Sequence, residues 1–288
     1  MTDGTADRGW FEGVAADDLE GLARAIREGS AERPRDWPAL AVEAGFADDE
    51  AAYYDCLQAA AIDAASAATS ERERAPDQQL VHALRAAEDL VETTNELAER
   101  LAEWGASAFG GTGGATGDAD SGVAYAHEVA ARDPGDPTEE RIVAIAGRVV
   151  DLDAEREALR AFVEAEAPRV APNLAAIAGP MLAARLIALA GGLEALAKKP
   201  SSTVQVLGAE DALFAHLQGR APSPKHGAIY VHEYVRGTRP EDRGSAARAL
   251  AGKLAIAARV DHYSGERKPE IDAELEERID RIRSRGES

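Results

Sequence analysis

PDQQLVHALRAAEDLVETTNELAERLAEW, residues 76–104, sets the fold class of this chain. Leu80, Ala87, Thr94 and Leu101 recur every seven residues, and Ala83, Leu90, Leu97 and Trp104 each follow three residues later. These are the a and d positions of a helix that lays one apolar seam against a partner. A second seam opens at Asp136-Pro137-Thr138-Glu139, which reads as N-cap, Pro at N1 and Glu at N3. It runs through Ile142, Ile145, Val149, Leu152, Leu159 and Val163, with Arg156 as its one charged member. Two heptad helices joined by a connection predict an antiparallel coiled-coil hairpin. An ordinary helix pair on a globular core is the alternative.

The connection contains AFGGTGGATGDADSG (108–122). It lacks the Gly-Lys-Ser/Thr ending of a phosphate cradle and follows no predicted strand, so it reads as a flexible linker within a Gly-rich stretch, 105–135. On the N-terminal side, DWPALAVEAGF (36–46) reads as a helix capped by Asp36, with Pro38 early and Gly45 at its end; a second helix covers 48–65. The first 30 residues are polar and Gly-broken, a small or partly ordered element. After Pro168 the sequence becomes helices punctuated by Gly and Pro, with Ala183, Ala184, Ala188 and Ala190 allowing close packing. Polar loops at 198–203, 220–227 and 236–244 bracket a helix over 246–261 on which Arg248 and Arg259 share an angle and Lys253 is rotated away. The tail 271–285 reads as a charged helix with a solvated face. The expectation is a mainly α protein in three parts: 1–70, 71–166 and 167–285.

Composition agrees with helices: 45% of residues are hydrophobic but only 5% aromatic, and Ala recurs in runs such as 59–68 and 249–258. No apolar run reaches the roughly 18 to 20 residues of a membrane span, and the N-terminus has no signal-peptide pattern, so a cytoplasmic protein away from membranes is expected. The single Cys56 excludes an intramolecular disulfide and a Cys-rich zinc site. With 52 acids against 32 bases and only five Lys, the net charge is −20. Such a surface suits a high-salt cytoplasm, where repulsion is screened within a few Å or less. The charge is unevenly divided: residues 1–165 hold 36 acids and 14 bases, whereas 167–268 hold 8 and 14, a net of +6. A basic block retained in an acidic chain points weakly to an anionic partner.

GPMLAARLIALAGGLEALAKKPSSTVQVLGAEDALFAHL (179–217), SPKHGAIY (223–230) and RGSAARALAGKLAIAARVDHYSG (243–265) together resemble the Nop domain. That family comprises archaeal box C/D scaffold proteins, eukaryotic nucleolar Nop proteins and a spliceosomal relative. NELAERLAEW (95–104) is similar to the family's coiled-coil signature, and DWPALAVEAGFADDEAAYYDCL (36–57) to its archaeal N-terminal domain. The resemblance implies an N-terminal domain that binds the methyltransferase fibrillarin, a coiled coil that self-associates into a homodimer, and an all-α Nop domain. The last would recognise a kink-turn in box C/D guide RNA already held by a small ribosomal-protein-like partner. Transfer of a methyl group to a ribose 2′-hydroxyl would belong to fibrillarin, leaving this chain a non-catalytic scaffold with no cofactor. A Nop-domain RNA-binding paralogue acting without fibrillarin is the alternative, and an acidic helical enzyme a more distant one.

By match to the family, Lys225 and His226 approach the kink and Arg243 and Arg248 contact its backbone, with Arg239 and Lys253 as further RNA contacts. Leu90, Leu97, Leu101, Ile145 and Leu152 are the candidate dimerisation residues. Basic side chains suit phosphates, and a planar ring can stack on an unpaired base. Departures are visible. Family members commonly read GAEKALFR where this chain has GAEDALFA (208–215), so Asp211 and Ala215 replace usual basic residues, as Ser245 replaces a usual Lys. The FPEL-like ending of the first coiled-coil helix is absent after Trp104. The six His residues show no metal-ligand spacing on one helix face.

Overall fold

The computed structural model describes residues 9–29, 33–110 and 119–284, and it divides into two compact units at Ala75/Pro76. Among the described residues the regular structure is helical, without strands. The first unit contains α1 (Leu19–Glu28), α2 (Trp37–Glu43) and α3 (Glu50–Glu73). Each begins at an aspartate whose side chain accepts from a backbone N–H of the first turn: Asp18 from Gly21, Asp36 from Ala39, Asp49 from Ala52. Such caps satisfy donors that a helix start leaves open. A cluster of Trp10, Phe11, Phe46 and Tyr53 forms the core of this unit, with Trp10 Nε1 donating to the Tyr53 hydroxyl at 3.0 Å. The second expected helix runs eight residues beyond 65, so the boundary expected at 70/71 lies inside α3.

The second unit opens with the hairpin. α4 (Pro76–Phe109) and α6 (Pro137–Val170) are each 34 residues, about 50 Å at 1.5 Å per residue. They are antiparallel: Leu80, Val81 and Leu84 cluster with Val163 and Ala167 at one end, Ala98 and Leu101 with Ile142, Ala146 and Val149 at the other. All four a positions of α4 are buried, whereas Leu90 and Leu97 are half-buried and Trp104 is exposed. A third helix joins the hairpin. α5 (Ala119–Ala130) lies within the stretch expected to be a Gly-rich linker, and buries Ala126 and Val129 completely against the hairpin. Gly105 permits this crossing, since a Cβ there would sit 2.3 Å from the Tyr125 hydroxyl. The linker expectation is therefore corrected at both ends, with α4 continuing to Phe109 and α5 beginning at Ala119; its residues 111–118 lie outside the described ones.

Short helices follow: α7 (Pro172–Ala178), α8 (Pro180–Ala190), α9 (Leu193–Lys198), α10 (Ser201–Val206), α11 (Glu210–Leu217), a 3-10 turn (Ala228–Val231) and α12 (Glu233–Arg236). Of these, α7, α9, α10, α12 and the 3-10 turn pack on α13 (Arg243–Tyr263), where Ala247, Ala251, Ala255 and Ala258 are buried beside Leu250 and Leu254. Small side chains on the central helix let its neighbours approach closely. The last helix, α14 (Glu270–Ser284), is not the solvated element its charge suggested. Ile271, Leu275, Ile279 and Ile282 form a buried stripe at helical spacing that closes the core. One continuous core joins these helices to the base of the hairpin. Among the described residues no single helix is long and apolar enough to cross a membrane.

Candidate nucleic-acid interface

The loop 223–227 is held by its backbone and leaves its side chains outside. The Gly227 N–H donates to the Gln205 carbonyl at 2.9 Å, the Ala228 N–H to the Leu207 carbonyl at 2.8 Å, and Gln205 Nε2 to the Lys225 carbonyl at 2.7 Å. Glycine is required at 227, because a Cβ would lie 2.1 Å from the Leu207 oxygen. Beyond this anchor the His226 ring stacks on Tyr230 at 4.5 Å and 25°. The Arg243 guanidinium lies 5.6 Å from the same Tyr230 ring. Burial pushes the His226 imidazole below its ordinary 6.5; the positive charges of Arg243 and Lys225 add to this, and a backbone hydrogen bond opposes it. The result is a neutral planar ring beside fixed positive charge, a surface suited to an unpaired base next to a phosphate.

The six candidate RNA contacts are not equivalent. Lys225 and Arg248 are exposed and make no side-chain hydrogen bond or ion pair among the described residues. Arg243 is partly committed to the fold: its Nε donates to the Thr238 carbonyl at 3.1 Å and its Nη2 to the Arg236 carbonyl at 3.3 Å. Arg239 pairs with Asp242 at 2.9 Å, and Lys253 pairs with Glu274 of α14. Lys225, His226 and Arg243 are brought together; Gly244, at the start of α13, abuts the Lys225 stem, with 3.9 Å between its Cβ position and Lys225 Cδ. Arg248 and Lys253 border a groove further along α13. Arg259, at the angle of Arg248, is engaged by the Ala197 and Lys199 carbonyls.

Sequence reasoning missed Tyr230 and Gln205, whose roles arise from contacts across 4 and 20 residues and follow no periodicity. It also missed Arg283, which donates to Thr238 Oγ1 and the Glu233 carbonyl and so supports the loop before α13. The departures Asp211 and Ala215 lie on α11, a helix with no buried residue that leaves Phe214 and Leu217 exposed. Ser245 lies on the first turn of α13, at the groove. Of the five candidate dimerisation residues, Leu90, Leu97, Ile145 and Leu152 are half-buried. Leu101, at 1% exposure, packs into the hairpin's own core.

Residues 123–284, more than half of the chain, match the family model described as "Nop: snoRNA binding domain, fibrillarin". The chain belongs to the Nop family. It is 49% identical over 142 residues to an uncharacterized NOP5 family protein of Methanocaldococcus jannaschii, covering 49% of this chain and 34% of that protein. It is 40% identical over 152 residues to nucleolar protein 58 of Scheffersomyces stipitis, covering 51% of this chain and 30% of that protein. The match thus spans about a third of the length of these relatives. The crystal structure of a fibrillarin/Nop5p complex contains a chain similar to this one at TM-score 0.53 and 24% identity, covering 96% of this chain and 98% of that one. That likeness establishes a shared fold, and it includes the Nop domain with its helical hairpin.

Proposed function

We propose that this chain is the non-catalytic scaffold of a box C/D guide ribonucleoprotein. Its Nop domain, 167–285, binds kink-turn RNA together with a ribosomal-protein-like partner. Its hairpin, within 71–166, self-associates, and its N-terminal domain recruits fibrillarin, which performs ribose 2′-O-methylation. The observation that carries this reading is the pinned loop 223–227, which holds His226 on Tyr230 beside the uncommitted Lys225, in a region matching a family described as snoRNA-binding. The similar solved chain comes from a complex with fibrillarin, which supports the recruitment role. The excess of acids and scarcity of Lys support a cytoplasm of very high salt as the working environment. There, counterion release contributes less to RNA affinity, so stacking and shape carry more of the binding.

A second reading, a Nop-domain RNA-binding protein that works without fibrillarin, is favoured by one observation: the family match begins at residue 123, so the N-terminal unit lies outside it. Affinity purification of the full chain at molar salt, followed by RNA sequencing and protein identification, separates the two. Box C/D RNA with fibrillarin supports the scaffold; RNA without fibrillarin supports the second reading. Arg248→Glu is expected to abolish RNA capture while leaving fibrillarin co-purification intact, and unchanged capture would remove the RNA assignment.

A further inference from the structure

His232 joins two helix ends with one half-buried ring. Its Nε2 lies 2.8 Å from the Ile177 carbonyl in the last turn of α7, and its Nδ1 lies 3.1 Å from the Tyr234 backbone N–H at the start of α12. A carbonyl can only accept and a backbone N–H can only donate, so the partners fix the tautomer: the proton sits on Nε2 and Nδ1 is bare. Helix ends leave such backbone groups without intrahelical partners, and His232, the N-cap residue of α12, supplies one to each. The helix capped in this way supports Arg243. Arg236, its last residue, and Thr238 present the carbonyls to which the Arg243 guanidinium donates at 3.3 and 3.1 Å. Downstream, α12 is fastened by the Thr238 hydroxyl, which donates to the Tyr234 carbonyl at 2.7 Å, and by Arg283 of α14, which donates to the Glu233 carbonyl at 3.1 Å.

A proton added to Nδ1 would point at the Tyr234 N–H, donor against donor. The cap of α12 would be lost, whereas the Nε2 bond to Ile177 would remain and become charge-assisted. We propose that neutral His232 is a positioning residue for the RNA site and an acid-sensitive latch, whose protonation releases the start of α12 and loosens Arg243. The inference rests on the RNA-binding reading above, in which Arg243 contacts the RNA. The charges on the surrounding elements are of both signs. Glu233 of α12 and Glu276 and Asp280 of α14 are opposed by Arg236 of α12, Arg283 of α14 and Arg243 at the start of α13; α7 brings no ionisable side chain and the 3-10 turn only Tyr230. The helix dipoles oppose one another as well, since the end of α7 favours a cation and the start of α12 disfavours one. Hydrogen-bond geometry is what distinguishes the two forms of the ring.

The test uses the full chain at molar salt with 15N-labelled histidine, the His232 signal being assigned through its absence in His232→Asn. Long-range proton–nitrogen spectra at about pH 8 should show Nε2 protonated and Nδ1 bare. The opposite tautomer would overturn the latch. Lowering the pH to about 5 should speed exchange of the Arg236 and Gly237 amides about fivefold beyond the intrinsic pH effect, as expected for the loss of one cap, while the Gly179 amide at the end of α7 stays within about twofold. His232→Asn keeps an acceptor near Nδ1 but cannot titrate, so its α12 amides should show no acid response; a response persisting there would overturn the latch. His232→Gln keeps a donor towards Ile177 without the cap and should exchange about fivefold faster already at about pH 8. Circular dichroism checks that each variant is folded. Coupling to the site is read with kink-turn RNA preloaded with a kink-turn-binding ribosomal-protein-like protein. On acidification its affinity should fall about fivefold more for the intact chain than for His232→Asn. His226 titrates in both chains, so the difference belongs to His232. Equal falls in the two chains would overturn the positioning role. If the intact chain captures no kink-turn RNA at any pH while the α12 amides respond as expected, the RNA-binding reading fails and the latch does not.

Discussion

Asp261, only 7% exposed near the end of α13, receives three hydrogen bonds from the start of α7. Its Oδ1 accepts from the Asn173 backbone N–H at 3.0 Å and from Asn173 Nδ2 at 2.6 Å, and its Oδ2 accepts from the Leu174 N–H at 2.8 Å. α7 has no capping side chain from its own N-cap residue, Ala171, so Asp261 caps it from 87 residues away. Asn173 passes the constraint on, accepting from the Lys268 N–H at 2.6 Å and donating to the Glu266 carbonyl at 2.7 Å. Asp261→Ala removes one acceptor group and strands two buried backbone donors. Each stranded donor costs about 1 to 3 kcal/mol, so the expected loss is about 2 to 6 kcal/mol. Asp261→Asn retains the shape and one acceptor but turns an amide towards a donor, and should cost about half as much. Urea unfolding followed by helical circular dichroism at fixed molar salt measures both, and the drop in midpoint should come with an unchanged m-value. A loss below about 1 kcal/mol for Asp261→Ala would refute the reasoning, because it would mean that water or another group satisfies these donors.

Thr94, 2% exposed in the hairpin seam, has a hydroxyl with no hydrogen-bond partner among the described residues. Replacing it by Val should stabilise the fold by about 1 kcal/mol, raising Tm by about 2 to 4 °C, and a fall in Tm would contradict this. His226 should titrate below 6.5 by NMR. Since its pKa is depressed in the folded state, the unfolded chain binds more protons between the two values; the contribution to stability is present above 6.5 and is lost as pH falls through the folded value. Removing the charge of Lys225 should move that midpoint up, and a midpoint at or above 6.5 in the intact protein would refute the assigned environment. Leu97→Asp, at a half-buried seam position, should yield folded monomers by light scattering, whereas Leu101→Asp should unfold the hairpin by burying an unpaired charge. Dimers persisting in Leu97→Asp would place self-association elsewhere.

Interactions between residues three and four apart were legible in the sequence, and so were most helices. The a positions of α4, the Asp136-Pro137 start of α6 and the cap Asp36 depend on local geometry alone, which periodicity and capping chemistry report. The loop 223–227 was legible through resemblance, and its charge through composition. The allocation of each charge was not. Nothing local distinguishes Arg248 and Lys225, which are free, from Lys253, which is paired, because Glu274 reaches Lys253 only once α14 is docked. Tertiary structure likewise decided that α5 crosses α4 at Gly105, that Leu101 is enclosed within one chain, and that α14 buries a stripe its charges had masked. The physical division is one of range: helix propensity and capping act along the chain, whereas burial, ion pairing and the groove beside α13 are set by which helices pack together.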